Sequence, residues 1–439
     1  MTRRYLGGLV DIERGSIGRE IFSDASIYED ERQRVFAKSW LFVGHESQIP
    51  EHGDFVLSYM GEDSVILNRD TRGNIHVFLN SCRHRGMRVC RYDFGKSKVF
   101  TCPYHGWGYG TDGQLLAVPE YENGYAGRMD RKEWGLAEVP NMINYRGTIW
   151  ANWDPEARSF EAYMGDAIQF LDAFLELPDG THGELEAIGG LHKWTFPSNW
   201  KWAAENFIGD FYHGISHVSV DRVRISPTKQ EGRHTQDVVR YPAHVLNLSL
   251  PDSGHGARAK LMKDDYPYTP QYAENPIVEE YFRDAYEARV KRLGIKARCH
   301  WSGGNIFPNM SFSNGRTSIA VWNPRGPDKT EAWRWYLVPK SAPKEVKDLL
   351  RHYVIRYQGP TGMTEQDDIE NWHYAHQACH SPIAKRYPFN YQLGSGAPLD
   401  VPWADWLAPN GIVSEGITEH NQRGFYQRWA ELMDQTSRS

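Results

Sequence analysis

The chain has 439 residues, room for two or three domains of ordinary size. Its 50 Lys and Arg against 56 Asp and Glu leave a formal charge of −6, too mild for a nucleic-acid or membrane-surface binder, and no apolar run approaches the ~18 residues of a spanning helix. Five cysteines exclude a disulfide scaffold and, with an N-terminus that lacks the apolar core of a secretory signal, predict a cytoplasmic protein.

Residues 28–39 read as an amphipathic helix with Ile27, Val35 and Phe36 among its apolar contacts. From about 43 to 155 the chain turns to short β-type runs broken by Gly, Asn and Asp, such as Phe55-Val56-Leu57, Ile75-His76-Val77-Phe78-Leu79 and Thr148-Ile149-Trp150-Ala151. That texture predicts a small all-β domain. A helix is expected over 159–176, where apolar residues recur at three and four. Beyond it, strands near 191–196, 237–249, 317–322 and 333–339 alternate with helical patterns near 277–293, 343–357, 364–378 and 418–434. The expected fold class is α+β, with 1–42 as an N-terminal helical part of the larger domain, 43–155 as the β domain and 156–439 as the remainder. Aromatic residues make up 13% of the chain, which predicts a large aromatic core or pocket.

The β region carries Cys82-Arg83-His84 and, beyond residues 85–101, Cys102-Pro103-Tyr104-His105. Two Cys-plus-His pairs at such spacing make a four-ligand metal site at the tips of two hairpins. Thiolates and imidazoles admit either a tetrahedral zinc or a [2Fe–2S] cluster with Cys on one iron and His on the other. Gly86 and Gly106 each stand two or one residues past a His, where a small residue lets the backbone approach a bulky cluster. The strings CRHRG and CPYHGW resemble the Rieske iron–sulfur signature, which implies that Cys82, His84, Cys102 and His105 hold a [2Fe–2S] cluster. Cys90 is expected as a packed thiol. Arg83, Arg85, Arg88, Arg91, Lys96 and Lys98 surround the motif with only Asp93 against them, either as loop and subunit contacts or as a docking face for a small acidic electron-transfer protein.

In the larger region, His213 and His217 stand at i and i+4, a spacing that puts both imidazoles on one face of a regular helix. Gly214 follows the first His, so the general base of the H-E-x-x-H zinc hydrolases is missing. A carboxylate source lies far away in EQDDIENW, residues 365–372. Two His and one carboxylate leave open positions on a metal, as in the facial triad of non-haem Fe(II) oxygenases.

Together the two constellations resemble the large (α) subunit of the Rieske aromatic-ring-hydroxylating dioxygenases. The resemblance runs from VFAKSWLFVGHESQIPEHGDF through both Cys/His pairs, AENFIGDFYH and EQDDIENW to NQRGFYQRWAELM. It implies an all-β Rieske domain and a catalytic domain whose antiparallel sheet is flanked by helices, of helix-grip type. Carried over by position, His213, His217 and Asp368 would ligate the mononuclear Fe(II), with Asp367 as the rival carboxylate. Asn206 matches a residue near the iron that is at most a distant ligand. Asp210 matches an aspartate that links His213 to the second Rieske histidine, here His105, of a neighbouring subunit. Family members commonly place four or five residues between the two His; here only Gly214, Ile215 and Ser216 intervene, and the next His is His234. His373, His376, His380 and Cys379 are expected on a solvated helix face or a subunit contact, and Cys299-His300 in packing.

The family further implies addition of both atoms of O2 to an aromatic ring, giving a cis-dihydrodiol, with NAD(P)H electrons arriving through a separate reductase and ferredoxin. The absence of a G-x-G-x-x-G after a strand fits nicotinamide binding elsewhere. An α3 or, with β subunits, α3β3 assembly is expected. Alternatives from the same residues are a Rieske monooxygenase or demethylase, a Rieske electron-transfer protein, and a zinc-stabilised binding module. Arg222 and Arg224 are candidates to hold a carboxylate if the substrate is an aromatic acid; hydrocarbons and larger polycycles are equally open.

Overall fold

A computed structural model describes residues 4–5, 8–223, 242–262, 275–313, 317–396, 401 and 404–434. The chain forms two compact units, Phe36–Phe160 and a larger one made of Met1–Val35 with Glu161–Ser439. Both flanks of the smaller unit reach beyond the expected limits of 43 and 155. Trp40 donates its indole N–H to the carbonyl oxygen of Arg158 at 2.9 Å and meets Phe160 edge-on, so these residues pack inside that unit.

The sheets of the smaller unit are all antiparallel, with only short helical turns outside the strands. Its strands are β1 (Leu41–His45), β2 (Asp54–Met60), β3 (Asp63–Arg69), β4 (Ile75–Leu79), β5 (Phe94–Lys96), β6 (Val99–Thr101), β7 (Gly108–Gly110), β8 (Leu115–Ala117), β9 (Asn141–Tyr145) and β10 (Thr148–Asn152). They form three sheets in the orders β4-β3-β2-β5, β8-β7-β6 and β9-β10-β1. Phe55, Ile66, Phe78, Phe100, Trp107 and Tyr109 make a core that also contains Cys82 and Cys102.

The larger unit is built on one antiparallel sheet of β11 (Leu185–Ala187), β12 (His192–Phe196), β13 (Pro242–Leu250), β14 (His255–Met262), β15 (Cys299–Ile306), β16 (Met310–Ser313), β17 (Ser318–Pro324), β18 (Thr330–Pro339) and β19 (Ile412–Glu415). Its order is β11-β18-β17-β16-β15-β14-β13-β19, with β12 also on β18. Helices α1 (Ala25–Arg34), α2 (Trp200–Gly209), α3 (Pro276–Leu293), α4 (Lys344–Tyr357), α5 (Met363–Ala378) and α6 (His420–Asp434) accompany it. The sheet carries α2 against β15 and α6 against β13, so the expected helix-flanked sheet is present. No helix of the described residues is long and apolar enough to cross a membrane.

Several elements differ from expectation. Asp24 accepts from the backbone N–H of Ser26 and Ile27 at 2.8 and 3.2 Å, an N-cap that starts α1 at Ala25, before the expected residue 28. The helix expected over 159–176 is broken by a 3-10 turn at Gly165–Ala167, with Gly165 at φ 50°, a conformation that interrupts a regular α-helix. The strand expected from 237 is observed from Pro242; residues 237–241 lie outside the described residues.

Two buried polar knots tie the helices together. Glu31 on α1 is fully buried, accepts the indole N–H groups of Trp200 and Trp429 at 3.0 and 2.8 Å, and pairs with Lys201. One carboxylate therefore fastens α1, α2 and α6. Glu205, also on α2, accepts from the hydroxyls of Tyr391 and Tyr426. Burial outweighs those bonds and pushes its pKa up to about 8. Removing one partner of a buried ion pair strands the other, so Glu31→Ala should lower the unfolding free energy in urea by about 3–5 kcal/mol; a loss under about 1 kcal/mol would contradict the knot. Because the folded pKa of Glu205 is raised, its contribution is complete below pH 4.5 and is lost as the pH rises towards about 8. Wild-type stability relative to Glu205→Gln should fall over that window by at most about 1.4 kcal/mol per pH unit; a flat difference would contradict the shift.

Candidate metal centres

Two loops of the smaller unit are built alike. In the first, the Cys82 N–H donates to the Met87 carbonyl and the Gly86 N–H returns to the Cys82 carbonyl, both at 2.8 Å. In the second, the Cys102 N–H donates to Trp107 at 2.8 Å and the Gly106 N–H to Cys102 at 3.0 Å. Gly86 and Gly106 close the two turns at φ 73° and 75°, the left-handed region where a side chain is strained. The loops bring the two pairs together: the rings of His84 and His105 lie 4.4 Å apart, and His84 stacks on Trp107 at 5.1 Å. Both thiols are buried while the imidazoles are half-exposed. Burial raises the Cys102 thiol, and the neighbouring Cys82 adds to the shift against backbone hydrogen bonds at Tyr104 and His105.

This donor set suits a cluster with buried sulfur ligands and imidazoles turned outward. The Tyr109 hydroxyl lies 3.3 Å from Cys82 Sγ and accepts from the Arg83 N–H at 3.1 Å, a contact the sequence alone did not suggest. Cys90 is buried apart from the set, its thiol pushed up to about 12 by burial. The six basic residues around the loops are all exposed.

In the larger unit, α2 stops at Gly209 and Asp210 takes extended geometry at φ −77°, ψ 95°. Its Oδ1 accepts from the N–H groups of Tyr212 and His213 at 2.8 and 3.2 Å, which starts a 3-10 helix over Tyr212–His217. The two histidines thus sit on a 3-10 turn rather than the regular α-helix expected. His213 Nε2 and His217 Nε2 still come within 3.1 Å. Asp368, one turn into α5, completes a triangle, its Oδ1 3.5 Å from His213 Nε2 and 3.4 Å from His217 Nε2. Those sides accommodate an ion about 2 Å from each corner, the bond length of first-row divalent metals to nitrogen and oxygen.

The electrostatics favour a cation there. Asp368 Oδ1 is shielded from solvent and makes no hydrogen bond. Burial, with the charges of Glu365, Asp210 and Asp367, pushes Asp368 up to about 7 against the pull of His213. Burial opposes charge on His213, but the Asp210 and Asp368 carboxylates outweigh it and raise its pKa. Asp367 is placed differently: its Oδ2 faces His217 Nδ1 and Ser219 Oγ, each at 3.3 Å. Asp210 Oδ2 lies 3.4 Å from His213 Nδ1. Each imidazole therefore has a carboxylate behind it, the arrangement that orients ligand histidines.

A cavity of about 310 Å³ opens on the three donors and is lined by Asn206, Asp210, Phe207, Phe211, Tyr353 and Tyr357 among others. Arg258, Lys260 and His300 also line it, where packing alone was expected of His300. The helix bearing Asp368 is anchored by Glu365, whose two carboxylate oxygens accept from Arg334 Nη2 at 2.7 and 2.9 Å. Glu365 stands three residues before Asp368, a spacing readable in EQDDIENW; its partner on β18 is not. His376 is buried, not solvated, and shares Asp328 Oδ1 with His380 at 3.0 and 2.8 Å. Arg222 is exposed and does not line the cavity; Arg224 lies outside the described residues.

From this geometry, Asp368→Ala should abolish iron binding at the triangle while leaving the absorbance of the cluster intact. Asp367→Ala should keep the iron with about 10–100-fold weaker affinity, since it acts only through His217. Equal iron loss in both variants, measured by metal analysis, would contradict the distinction.

Comparison with known proteins agrees with both units. Residues 184–435 match the family described as the ring hydroxylating alpha subunit (catalytic domain), and residues 39–140 match the Rieske [2Fe–2S] domain. The chain is 37% identical to the biphenyl dioxygenase subunit alpha of Metapseudomonas furukawaii, covering 99% of this chain and 94% of that protein. It is 36% identical to the benzene 1,2-dioxygenase subunit alpha of Pseudomonas putida, covering 97% and 92%. A solved naphthalene 1,2-dioxygenase variant bound to phenanthrene superposes with a TM-score of 0.85 at 31% identity, covering 97% of this chain and 94% of that one. With a paired Cys/His site in one unit and a buried His/His/Asp triangle in the other, the chain belongs to the ring-hydroxylating alpha-subunit family of Rieske non-haem iron oxygenases.

Proposed function

We propose that this chain is the terminal oxygenase subunit of a multicomponent dioxygenase that adds both atoms of O2 to an aromatic ring, yielding a cis-dihydrodiol. The observation that carries the reading is the buried His213–His217–Asp368 triangle opening on a cavity of about 310 Å³, in a chain that also holds the Cys/His loops. Relatives named as biphenyl and benzene dioxygenase alpha subunits support the same chemistry. Cys82, His84, Cys102 and His105 would hold the [2Fe–2S] cluster, and His213, His217 and Asp368 the Fe(II). When bound, the cluster would supply electrons one at a time and the Fe(II) an open position for dioxygen.

The protein's own groups then have definite tasks. Asp210 orients His213 from behind and, in an α3 or α3β3 assembly, would accept from His105 of a neighbouring subunit. Asp367 does the same for His217. Asn206 borders the cavity beside the triangle without a ligand role assigned to it. Phe207, Phe211, Tyr353 and Tyr357 offer aromatic walls against which a ring can stack. The exposed cations Arg83, Arg85, Arg88, Arg91, Lys96 and Lys98 favour encounter with an acidic ferredoxin, which draws on NAD(P)H through a reductase.

A single turnover of the reduced protein with 18O2 and candidate arenes tests the reading by mass spectrometry. Two labelled oxygens in one ring-hydroxylated product are expected. One labelled oxygen, or loss of a methyl group, would overturn dioxygenation in favour of a monooxygenase or demethylase.

A further inference from the structure

The cavity beside the triangle is not lined as a slot for plain hydrocarbon. β14 presents Arg258 and Lys260 to it, two residues apart and so on one face of the strand. Lys260 stands directly opposite His300 of β15 in the antiparallel register, and His300, Trp301 and Ser302 continue the same wall. Burial, with the charges of Arg289 and Lys260, pulls His300 down to about 4, so it contributes a neutral ring.

Arg258 is the informative residue. One donor, Nη1, reaches the Asp210 carbonyl oxygen at 3.2 Å, and the guanidinium lies over the Phe211 ring at 5.0 Å. Its Nε is buried with no acceptor. Among the described residues, no carboxylate pairs with it. The Asp210 and Asp368 charges act on it only from a distance, against the cost of burial. A guanidinium stays charged at any working pH, and a half-buried one whose Nε–H has no acceptor gains from an anion that meets it in the cavity. Its fork of N–H groups matches a carboxylate. Asp368 is unavailable for that purpose, being committed to the metal triangle.

We propose that the cavity takes an aromatic acid, a ring of one or two cycles bearing a carboxylate, and that Arg258 selects it over the unsubstituted arene. The inference rests on the proposed function only in taking this cavity as the substrate site. Arg258 would be a specificity-determining residue, holding the carboxylate while the ring packs against the aromatic wall. A cavity of about 310 Å³ suits a ligand of that size.

The test uses the iron-loaded holoenzyme with naphthalene-2-carboxylate and naphthalene as probes. Equilibrium dialysis of the resting protein reads binding, and a single 18O2 turnover reads chemistry. The wild type should bind the carboxylate at least about tenfold tighter than naphthalene, and Arg258→Gln should reduce that ratio at least about tenfold. Arg258→Lys, which keeps a point charge without the fork, should restore part of it. Cluster absorbance and iron content serve to check that each variant is folded. Tighter binding of naphthalene by the wild type, no binding of the carboxylate, or an equal loss for both probes in Arg258→Gln would overturn the proposal. The last result would mean that Arg258 merely clamps the end of α2. Doubly labelled naphthalene diol with no carboxylate binding would sink this inference and leave the dioxygenase reading standing. Arg258-dependent carboxylate binding without oxygen incorporation would do the reverse.

Discussion

Three donor atoms held within 3.5 Å of one another, in a corner shielded from water, set the terms for the larger unit. His213 Nε2 and His217 Nε2 lie 3.1 Å apart, but Asp368 Oδ1 stands 3.5 and 3.4 Å from them, shielded from solvent and with no hydrogen bond. Asp368 answers by drifting towards neutrality, with a pKa of about 7. A divalent cation would remove the conflict, and buried contacts fix the helices next to the donors. Glu31 fastens the start of α2 through Lys201 and Trp200. Glu205 ties the same helix to Tyr391 and Tyr426. Arg334 grips Glu365 and with it the helix that carries Asp368. These buried polar groups, charged at Glu31–Lys201 and Arg334–Glu365, cost desolvation, and what they secure is position.

The two candidate centres solve opposite problems. The Cys/His loops keep sulfur inside and imidazole at the surface, where a cluster held on them would exchange electrons through the histidines. A metal held by the triangle would be buried and open on a cavity, where dioxygen and an organic ring would meet away from bulk water. Asp210 belongs to the second centre by geometry, since it starts the 3-10 turn and backs His213. Its proposed link to His105 of a neighbouring subunit would make the assembly, not the single chain, the working unit.

What could be read from the sequence was local. Cys82-x-His84 and Cys102-x-x-His105 each lie on one loop, so their spacing carries the chemistry directly. His213 and His217 are close in sequence, and EQDDIENW offers its carboxylates on one short stretch. The form of the intervening turn was misread, because Asp210 uses its side chain to begin a 3-10 helix and a period of four suggested an α-helix. β14 and β15 were not anticipated at all. HGARAKLM and CHWSGGNI mix glycine, charge and histidine in a way that conceals their strand pairing until the partner strand is known. For the same reason Arg258 and Lys260 did not stand out as cavity residues, although two cations at alternate positions of a short apolar stretch were there to be noticed. Arg334 and Glu365 are 31 positions apart, and Glu31 and Lys201 are 170 apart. No periodicity links such pairs; only the folded sheet does.

Iron-edge anomalous diffraction on crystals of the holoprotein decides whether the triangle is a metal centre distinct from the cluster. A paired iron feature is expected among Cys82, His84, Cys102 and His105, and a single peak between His213, His217 and Asp368. A single peak lying instead at Asp367, or at the Asp328, His376 and His380 group, with the triangle empty, would contradict it.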